Sequence, residues 1–377
     1  MRVAVIGGGA AGYFAAISCK RHHPDASVVL FEKTSKTLSK VKISGGGRCN
    51  VTHDCQYISH LVKNYPRGGK QLKKVFEQFS HRDTVEWFES RGVPLKVEAD
   101  GRIFPVSDQS ESIIRCLLDE VDTLGIDVQL RAPVQHISKS EDEFQLEILG
   151  RETTVNCDIV IITTGGHPKS QGYDWLRALD LKIIDPVPSL FTFNMPDDPI
   201  KTLMGIAVPA YVRILGSTFN EEGPVLITHW GMSGPAVLRL SAWGARHLSC
   251  EGYEFILSIN WSNGLSEQGV RELLSTDNRR KLRNANPLQL PVRLWEALMD
   301  RASVDANLSW YDSPKKSKNK LIHTITQDHY QVSGKTTFKE EFVTCGGVAL
   351  DQINLSNMSS KDIPGLYLAG EVLDIDA

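Results

Sequence analysis

A glycine-rich turn near the amino terminus has the residue types that bind a dinucleotide. Residues 1–12 read MRVAVIGGGAAG, an apolar strand that leads through Gly7, Gly9 and Gly12 directly into a predicted helix. Gly7 permits a tight turn, Gly9 lets the backbone approach a pyrophosphate, and Gly12 lets the helix pack closely on the strand. The first backbone amides of that helix, at Ala10 and Ala11, favour bound negative charge.

An acidic residue follows at the spacing that such a site requires. The second predicted strand, Ser27 to Phe31, ends at Glu32, about twenty residues after Gly12. A carboxylate there accepts hydrogen bonds from ribose hydroxyls and repels a 2′-phosphate. The pattern predicts an adenine dinucleotide and leaves NAD and FAD open, although a glycine-rich turn can also serve only to pack a βαβ unit.

Five further motifs are spread along the chain in order. They are SGGGRCNVT at 44–52, IITTGG at 161–166, THWGMSGPA at 228–236, VTCGGV at 343–348 and GLYLAGEVLD at 365–374. In these motifs the chain resembles the BaiN-like, aminoacetone oxidase family of bacterial FAD-binding proteins, whose members carry SGGGRCN(V/L)TN at the first position. The resemblance implies an α/β fold with a Rossmann-like FAD-binding domain of the two-dinucleotide-binding flavoprotein type, and FAD as the cofactor.

The residues expected to contact FAD combine the first motif with those that the resemblance adds. They are Gly7, Gly9, Ala10, Ala11, Gly12, Glu32, Lys33, Lys40, Ser44, Gly45, Gly46, Gly47, Arg48, Cys49, Asn50, Val134, Thr164, Gly165, Gly166, Gly370, Glu371 and Asp374. Arg48 is expected to contact a phosphate or the flavin, with an ion pair to a nearby carboxylate as the alternative. Glu371 or Asp374 is expected to accept hydrogen bonds from ribityl hydroxyls.

Two side-chain types remain as candidates for the chemistry itself. Cys49 and Cys55 could form a redox pair, but their spacing is one residue longer than the CxxxxC of disulfide-reductase flavoproteins. His229 is the catalytic candidate, because an imidazole titrates near neutral pH and its loop approaches the flavin side in relatives. A structural role is the alternative for this histidine, and the sequence predicts no metal site.

The length of 377 residues predicts two or three domains. We expect a discontinuous FAD-binding domain formed by residues 1–190 and 335–377. Residues 191–262 and 320–334 read as an inserted β-rich domain, and residues 263–319 as a small helical domain. Within the first domain, residues 71–91 predict one or two helices, Asp100-Gly101 predicts a hairpin turn, and Asp108 with Glu111 predicts a helix cap.

Composition restricts the partners and the compartment. A formal net charge of −3 gives no general attraction to nucleic acid or membranes, and the lysine-rich run at 315–320 reads as a solvated loop or helix start. The apolar runs are too short to span a bilayer. Because the first predicted strand begins at Arg2, we expect no signal peptide. Seven cysteines without a CxxC pair favour reduced thiols and a cytoplasmic location. The oligomeric state stays open.

The expected activity is that of a FAD-dependent oxidoreductase acting on a small-molecule substrate. The resemblance implies an amine such as aminoacetone, or a steroid-like compound, as the substrate. The alternatives are a thiol-disulfide reductase, a reductase with NAD(P)H as co-substrate, for which no second GxGxxG is present, and a non-catalytic flavin-binding protein. Relatives have a longer turn after the glycines at 165–166, and continue past GEVLD with a glycine-rich turn and a helix. Since this sequence ends at Ala377, weaker FAD binding is expected.

Overall fold

A computed structural model describes residues 1–141, 143–276, 279–336 and 343–376. The chain divides into two compact units. Unit 1 comprises residues 1–187 and 339–377, and unit 2 comprises residues 188–338. None of the helices in the described ranges has the length and apolar character that crossing a bilayer requires.

Unit 1 is an α/β unit built from both ends of the chain. Its amino-terminal part contains β1 (Arg2–Ile6), α1 (Ala10–His22), β2 (Ser27–Phe31), α2 (Ser39–Gly47), β3 (Thr52–His53), α3 (Ile58–Leu61), α4 (Gly69–Phe76), α5 (His81–Glu89), β4 (Leu95–Val97), β5 (Arg102–Pro105), α6 (Ser110–Thr123), β6 (Asp127–Gln129), β7 (Val134–Lys139), β8 (Phe144–Ile148), β9 (Val155–Cys157), β10 (Ile159–Ile162), α7 (Asp174–Arg177) and β11 (Ile183–Ser189).

The middle of the chain forms unit 2. It contains β12 (Thr192–Asn194), β13 (Ala207–Ile214), β14 (Asn220–Ile227), β15 (Gly231–Ser233), α8 (Pro235–Trp243), α9 (Ala245–Cys250), β16 (Glu254–Asn260), α10 (Glu267–Thr276), α11 (Val292–Arg301), α12 (Lys315–Thr326), β17 (Asp328–Ser333) and β18 (Lys335–Thr336). The carboxyl-terminal segment returns to unit 1 with β19 (Val343–Val348), β20 (Ile353–Asn354), β21 (Ser359–Ser360) and β22 (Leu366–Leu368).

The main sheet of unit 1 has the strand order β20-β21-β22-β10-β1-β2-β6. The pairs from β22 to β6 are parallel, and β1 lies between β10 and β2. Parallel strands are covered on both faces and therefore read as continuous apolar runs. In β1, residues 3–6 are all buried, which explains its unbroken apolar sequence.

Alternate side chains of β1 enter two different apolar layers. Val3 and Val5 pack with residues of α1 and α6, such as Ile17 and Leu117. The alternating side chains of Ala4 and Ile6 pack on the other face, in a cluster that includes residues of the β7–β9 sheet. The carboxyl end of β1 is therefore held from both sides at the point where the glycine-rich turn begins.

Unit 2 is built around an antiparallel sheet with the order β17-β16-β13-β14-β15-β12-β18. Its sheet and its helical segment share one apolar core. Val212 and Ile259 of the sheet belong to the same cluster as Leu294 and Leu298 of α11. The segment 263–319, expected as a small domain of its own, thus contributes to the core that also covers the sheet.

Local sequence signals in unit 1 have mixed outcomes. Residues 71–91 contain most of α4 and all of α5, and β4 and β5 pair as a hairpin across Asp100-Gly101. The capping prediction for Asp108 is wrong. Gln109 is the N-cap residue of α6, without a side-chain cap, whereas the Asp108 carboxylate pairs with Lys96 and lies 3.5 Å from Arg48. Two nearby cations compete more strongly for this carboxylate than the helix amides do.

The contact between α1 and the turn predicts a specific sensitivity. A Cβ atom at Gly12 would lie 1.8 Å from the carbonyl oxygen of Gly7, whereas one at Gly9 would meet nothing within 4 Å. Gly12→Ala should lower the free energy of unfolding by about 2 kcal/mol or more, because helix and strand must move apart. Gly9→Ala, as the matched control, should cost less than about 1 kcal/mol. Urea unfolding of both variants measures the difference, and equal stabilities would contradict this explanation.

Candidate dinucleotide-binding site

A cavity of about 130 Å³ lies within unit 1 where β1, β2 and β10 end. Ligands of open α/β sheets gather at the carboxyl ends of the strands. Seven of the predicted cofactor residues line it: Gly7, Glu32, Lys33, Val134, Thr164, Gly165 and Gly166. The three strand ends thus bring together residues that are up to 159 positions apart in the sequence.

The three glycines of the turn have different surroundings. Gly7 has a φ of +114°, and a Cβ there would lie 2.5 Å from the carbonyl oxygen of Thr163. Gly12 is required by the packing described above. Gly9 faces open space, has an extended backbone and precedes α1 as its N-cap. The first turn of α1 carries no acidic residue, so its backbone amides, including those of Ala10 and Ala11, can receive a pyrophosphate.

The Glu32 carboxylate is held by the backbone on both of its oxygens. Oε2 accepts a hydrogen bond of 2.8 Å from the amide of Gly8, and Oε1 accepts one of 2.8 Å from the amide of Thr34. Each carboxylate oxygen has a second lone pair, so both can still accept from ribose hydroxyls. These two bonds fix the position and orientation of the acid next to the glycine-rich turn.

Glu371 connects the carboxyl-terminal motif to three other parts of the site. Its carboxylate accepts a 2.9 Å hydrogen bond from the amide of Thr344 and pairs at 2.9 Å with Lys40 Nζ. A Cβ at Gly166 would lie 2.9 Å from its Oε1. On the neighbouring residue, Gly370, a Cβ would lie 2.8 Å from that of Ala11. The start of α1, the start of α2 and the loop after β10 therefore meet the GEVLD motif.

The hydroxyl of Thr344 is buried and has no hydrogen-bond partner among the residues that the structure describes. An unpaired buried hydroxyl costs free energy, so such groups usually have a partner. It lies beside Gly166, whose Cβ would be 2.2 Å away. A polar ligand in this crevice would satisfy it. This unpaired group, the open space at Gly9 and the first turn of α1, which has neither a side-chain cap nor an acidic residue, together fit a dinucleotide cofactor.

The glycine cluster at 44–47 interrupts α2. Ser44 has an extended ψ of 147°, and the glycines that follow have positive φ values. A Cβ at Gly45 would lie 2.9 Å from the amide of Asn50. Gly46 and Gly47 are less crowded, since a Cβ would meet nothing within 4 Å at Gly46 and only one backbone oxygen 4.0 Å away at Gly47. The chain thus makes a compact turn here that leaves Asn50 exposed.

The Arg48 side chain adopts the ion pair considered as the alternative to a cofactor contact. Its guanidinium pairs at 2.6 Å with Glu98 and lies 3.9 Å from the centre of the Phe104 ring. Both partners belong to the hairpin around Asp100-Gly101. In this arrangement Arg48 holds the hairpin against the glycine cluster, and a contact with FAD stays a prediction.

Cys49 and Cys55 are both buried free thiols. Burial raises the pKa of each thiol, and the charge of Asp54 raises that of Cys55 further. Thiolates are the reactive form in disulfide exchange. A redox-active pair would need at least one thiol with a lowered pKa, and these surroundings act in the opposite direction.

Asp374 and His229 are among the predicted residues that do not line the cavity. Asp374 lies at the end of the GEVLD motif, where its amide donates a 3.0 Å hydrogen bond to the carbonyl oxygen of Val348. His229 belongs to unit 2, on an exposed turn where its ring lies 4.7 Å from that of Trp230. The catalytic assignment of His229 stays a prediction.

Sequence reasoning missed several residues at the cavity. Tyr173 lines it and accepts a 2.9 Å hydrogen bond from the amide of His167, which lines it as well. Burial, with the carboxylates of Glu371 and Asp374 nearby, raises the pKa of Tyr173. The sequence indicates that Gly172 and Tyr173 belong to a loop, but no neighbouring residue indicates that the Tyr173 ring lines the cavity at the end of β1.

The parallel sheet, the glycine-rich turn and the fixed acid define a Rossmann-type dinucleotide-binding protein. The chain matches the family model described as "HI0933-like protein Rossmann domain" over residues 1–377, and it therefore belongs to the HI0933-like family. This membership confirms the family resemblance, the fold class and FAD as the cofactor. It also places the chain among FAD-dependent oxidoreductases.

Curated relatives match nearly the whole chain. A protein of Escherichia coli (strain K12) named ribosomal RNA dihydrouridine synthase is 28% identical, covering 98% of this chain and 91% of its own length. A protein of Clostridium scindens named 3-dehydro-bile acid delta(4,6)-reductase is 26% identical, covering 100% of this chain and 93% of its own length. The sequence similarity therefore extends over nearly the whole length of this chain.

Solved structures share the fold at lower identity. The 3-ketosteroid-delta4-(5alpha)-dehydrogenase of Rhodococcus jostii superimposes with a TM-score of 0.50 at 14% identity, covering 99% of this chain and 90% of that one. The 3-ketosteroid delta1-dehydrogenase of Sterolibacterium denitrificans gives 0.51 at 12% identity, covering 98% and 93%. At these identities the likeness concerns the fold.

The open space at Gly9 gives a direct test of cofactor binding. We expect Gly9→Val to fold like the parent protein and to lose bound FAD, because its side chain would occupy the space of the pyrophosphate. Gly9→Ala, with one methyl group, should weaken FAD binding to an intermediate degree. Flavin absorbance per chain after purification, with circular dichroism as the folding control, measures both. Full FAD occupancy in folded Gly9→Val would refute the placement.

The buried thiols predict slow alkylation. At neutral pH, Cys49 and Cys55 should react with iodoacetamide much more slowly than exposed Cys250, because burial keeps both protonated and inaccessible. Peptide mass spectrometry at successive times measures the three rates. Rapid labelling of Cys49 or Cys55 in the folded protein would restore the redox-pair hypothesis.

Proposed function

We propose that this chain is a FAD-dependent reductase of carbon–carbon double bonds conjugated to a carbonyl group. The observation that carries the proposal is the chemistry shared by two relatives of nearly equal identity. Dihydrouridine forms from uridine by saturation of the C5–C6 bond, which is conjugated to a ring carbonyl. A 3-dehydro Δ4,6 bile acid likewise has double bonds conjugated to its 3-keto group.

The common reaction is balanced by one hydride and one proton. Bound FAD, when reduced by a two-electron donor such as NAD(P)H, supplies the hydride for the β-carbon of the conjugated system. The protein must then bind both molecules, deliver a proton to the α-carbon and exclude competing reactions. The residues of this chain can be assigned to the first of these tasks.

The ADP half of FAD would be bound by the turn at 7–12 and by Glu32. Lys40 and Glu371 form an ion pair beside the crevice, so the position carries little net charge while both groups stay oriented for hydrogen bonds. The unpaired Thr344 hydroxyl supplies a further donor and acceptor. These groups suit the polar, uncharged ribityl part of FAD.

The other substrate and activity hypotheses have less support. An amine substrate has no observation in its favour and stays a prediction. Raised thiol pKa values argue against the thiol-disulfide reductase. NAD(P)H enters this proposal as the reductant, and His229 as a candidate proton donor whose replacement by Gln should change the pH profile of turnover.

An anaerobic two-step assay tests the reaction class. The FAD-loaded protein should be reduced by NADH or NADPH, and the flavin should be reoxidised by a 3-keto Δ4,6 steroid or by uridine within RNA, with loss of the double bond. Gly9→Val, lacking FAD, is the control for non-enzymatic reduction. Mass spectrometry should show a gain of two hydrogens in the product. Reoxidation by neither acceptor, with flavin reduction by aminoacetone instead, would replace this proposal by amine oxidation.

A further inference from the structure

We propose that α4 and the segment before it form a binding surface for an RNA backbone, which we call the α4 face: Tyr57, Lys63, Lys70, Lys73 and Lys74. The inference rests on the proposed function and specifies its substrate as a base within RNA. Five observations carry it: local charge, exposure, helix electrostatics, the attachment of α4 to the carboxyl-terminal motif and an exposed aromatic ring.

The charge of this segment differs from that of the whole chain. Between positions 55 and 76 there are five lysines or arginines and no aspartate or glutamate, although the chain has a net charge of −3. Binding to a phosphate backbone depends on local clusters of cations, not on net charge. The weak overall charge, from which we expected no nucleic acid, therefore does not describe this surface.

The cations of the α4 face are exposed and have no ion-pair partner among the described residues. Lys63, Lys70, Lys73 and Lys74 are all exposed to solvent. In the described part of the chain, no carboxylate lies within ion-pair distance of any of them. Glu77, one turn after Lys73 and Lys74, is the nearest acid along the chain. The ammonium groups are thus available to phosphate oxygens.

The arrangement of these lysines works against helix stability. Lys70 lies in the first turn of α4, where the helix dipole disfavours a cation, and this turn has no acidic residue. Lys73 and Lys74 follow it at the i+3 and i+4 positions, so like charges face each other on one side. The helix dipole favours cations in the last turn, where Lys73 and Lys74 lie, but not at Lys70. A polyanionic ligand would remove the repulsion at Lys70.

Attachment to the end of the GEVLD segment places α4 beside the cofactor motif. Arg67 forms an ion pair with the buried carboxylate of Asp376, and the two residues also pair through their backbones. A Cβ at Gly68 would lie 2.7 Å from the side chain of Ile375. The loop that leads into α4 is therefore packed against residues 375–376, directly after the motif that contains Glu371. The α4 loop and the predicted FAD site are thus attached to the same carboxyl-terminal segment.

An exposed aromatic ring favours RNA over a membrane as the polyanion. Tyr57 is 54% exposed and precedes α3, where its ring contacts that of His60 at 5.5 Å. Unpaired bases of RNA stack on such rings, while the phosphates bind the lysines. Two curated relatives, from Escherichia coli and Haemophilus influenzae, are named as enzymes of ribosomal RNA. Membrane binding is the outcome that the experiment must separate.

The test compares two triple variants of the FAD-loaded full chain. Lys70→Ala/Lys73→Ala/Lys74→Ala removes the charges of α4. Lys315→Ala/Lys316→Ala/Lys320→Ala removes the same charge from exposed lysines of α12, which serves as the matched control. The probes are an unmodified ribosomal RNA transcript and phosphatidylserine vesicles, measured by filter binding and by sedimentation over a range of salt concentrations.

The α4 variant should bind the transcript about tenfold more weakly at low salt, and its salt-dependence slope should fall by roughly 2 to 3, since each lost phosphate contact removes about one counterion. The α12 variant should bind like the parent. Tyr57→Ala should weaken RNA binding, and Tyr57→Phe should preserve it. Equal losses in both triple variants, or binding of vesicles without binding of the transcript, would overturn the proposal.

A second readout separates this inference from the proposed function. FAD content per chain and flavin absorbance should be unchanged in the α4 variant, because FAD and its site are intact. Steroid reduction without any RNA binding by the parent protein would leave the reductase standing and reject the α4 face. RNA binding without reduction of any conjugated double bond would reject the reductase and leave the α4 face standing as an RNA-binding surface.

Discussion

The close approach of α1 to the end of β1 is the constraint on which the site depends. It brings the start of the helix so near to the turn that a single methyl group at Gly12 would collide with the Gly7 carbonyl oxygen at 1.8 Å. Because β1 is clamped between two apolar layers, the turn cannot relax by moving the strand. The open space at Gly9 and the direction of the first helix amides both follow from this packing. The same rigidity lets the Gly8 amide orient the Glu32 carboxylate.

Electrostatics then connects the two ends of the chain. Glu371 is 331 residues from Lys40 in the sequence, yet their ion pair joins the GEVLD motif to α2. Both groups are partly exposed, so the pair contributes little to stability by itself. Its consequence is positional: a carboxylate held by Lys40 and by the Thr344 amide forms one wall of the crevice. The Arg67–Asp376 pair, which is more buried, attaches the α4 loop to the same segment.

The chemical environment of the buried thiols favours a site in which the cofactor, and not a cysteine pair, carries the redox chemistry. Buried cysteines with raised pKa values suit a site in which the cofactor carries the redox chemistry. The protein then contributes position, polarity and access. For the proposed conjugated carbonyl substrate, the protein would have to supply little more than orientation and a proton.

The sequence by itself determined the elements whose signals are local. The strand, turn and helix at 1–32, the acid at the end of the second strand and the hairpin at Asp100-Gly101 all depend on neighbours within a few tens of residues, and apolar periodicity and glycine spacing encode them. Tertiary structure decided what depends on distant partners. The Asp108 carboxylate pairs with Lys96 and does not cap α6, and Arg48 pairs with Glu98. The helical segment of unit 2 shares the apolar core of the sheet. The sequence did not indicate that Thr344 and Tyr173 lie at the crevice, because the surroundings of a side chain depend on strands that only the fold brings together.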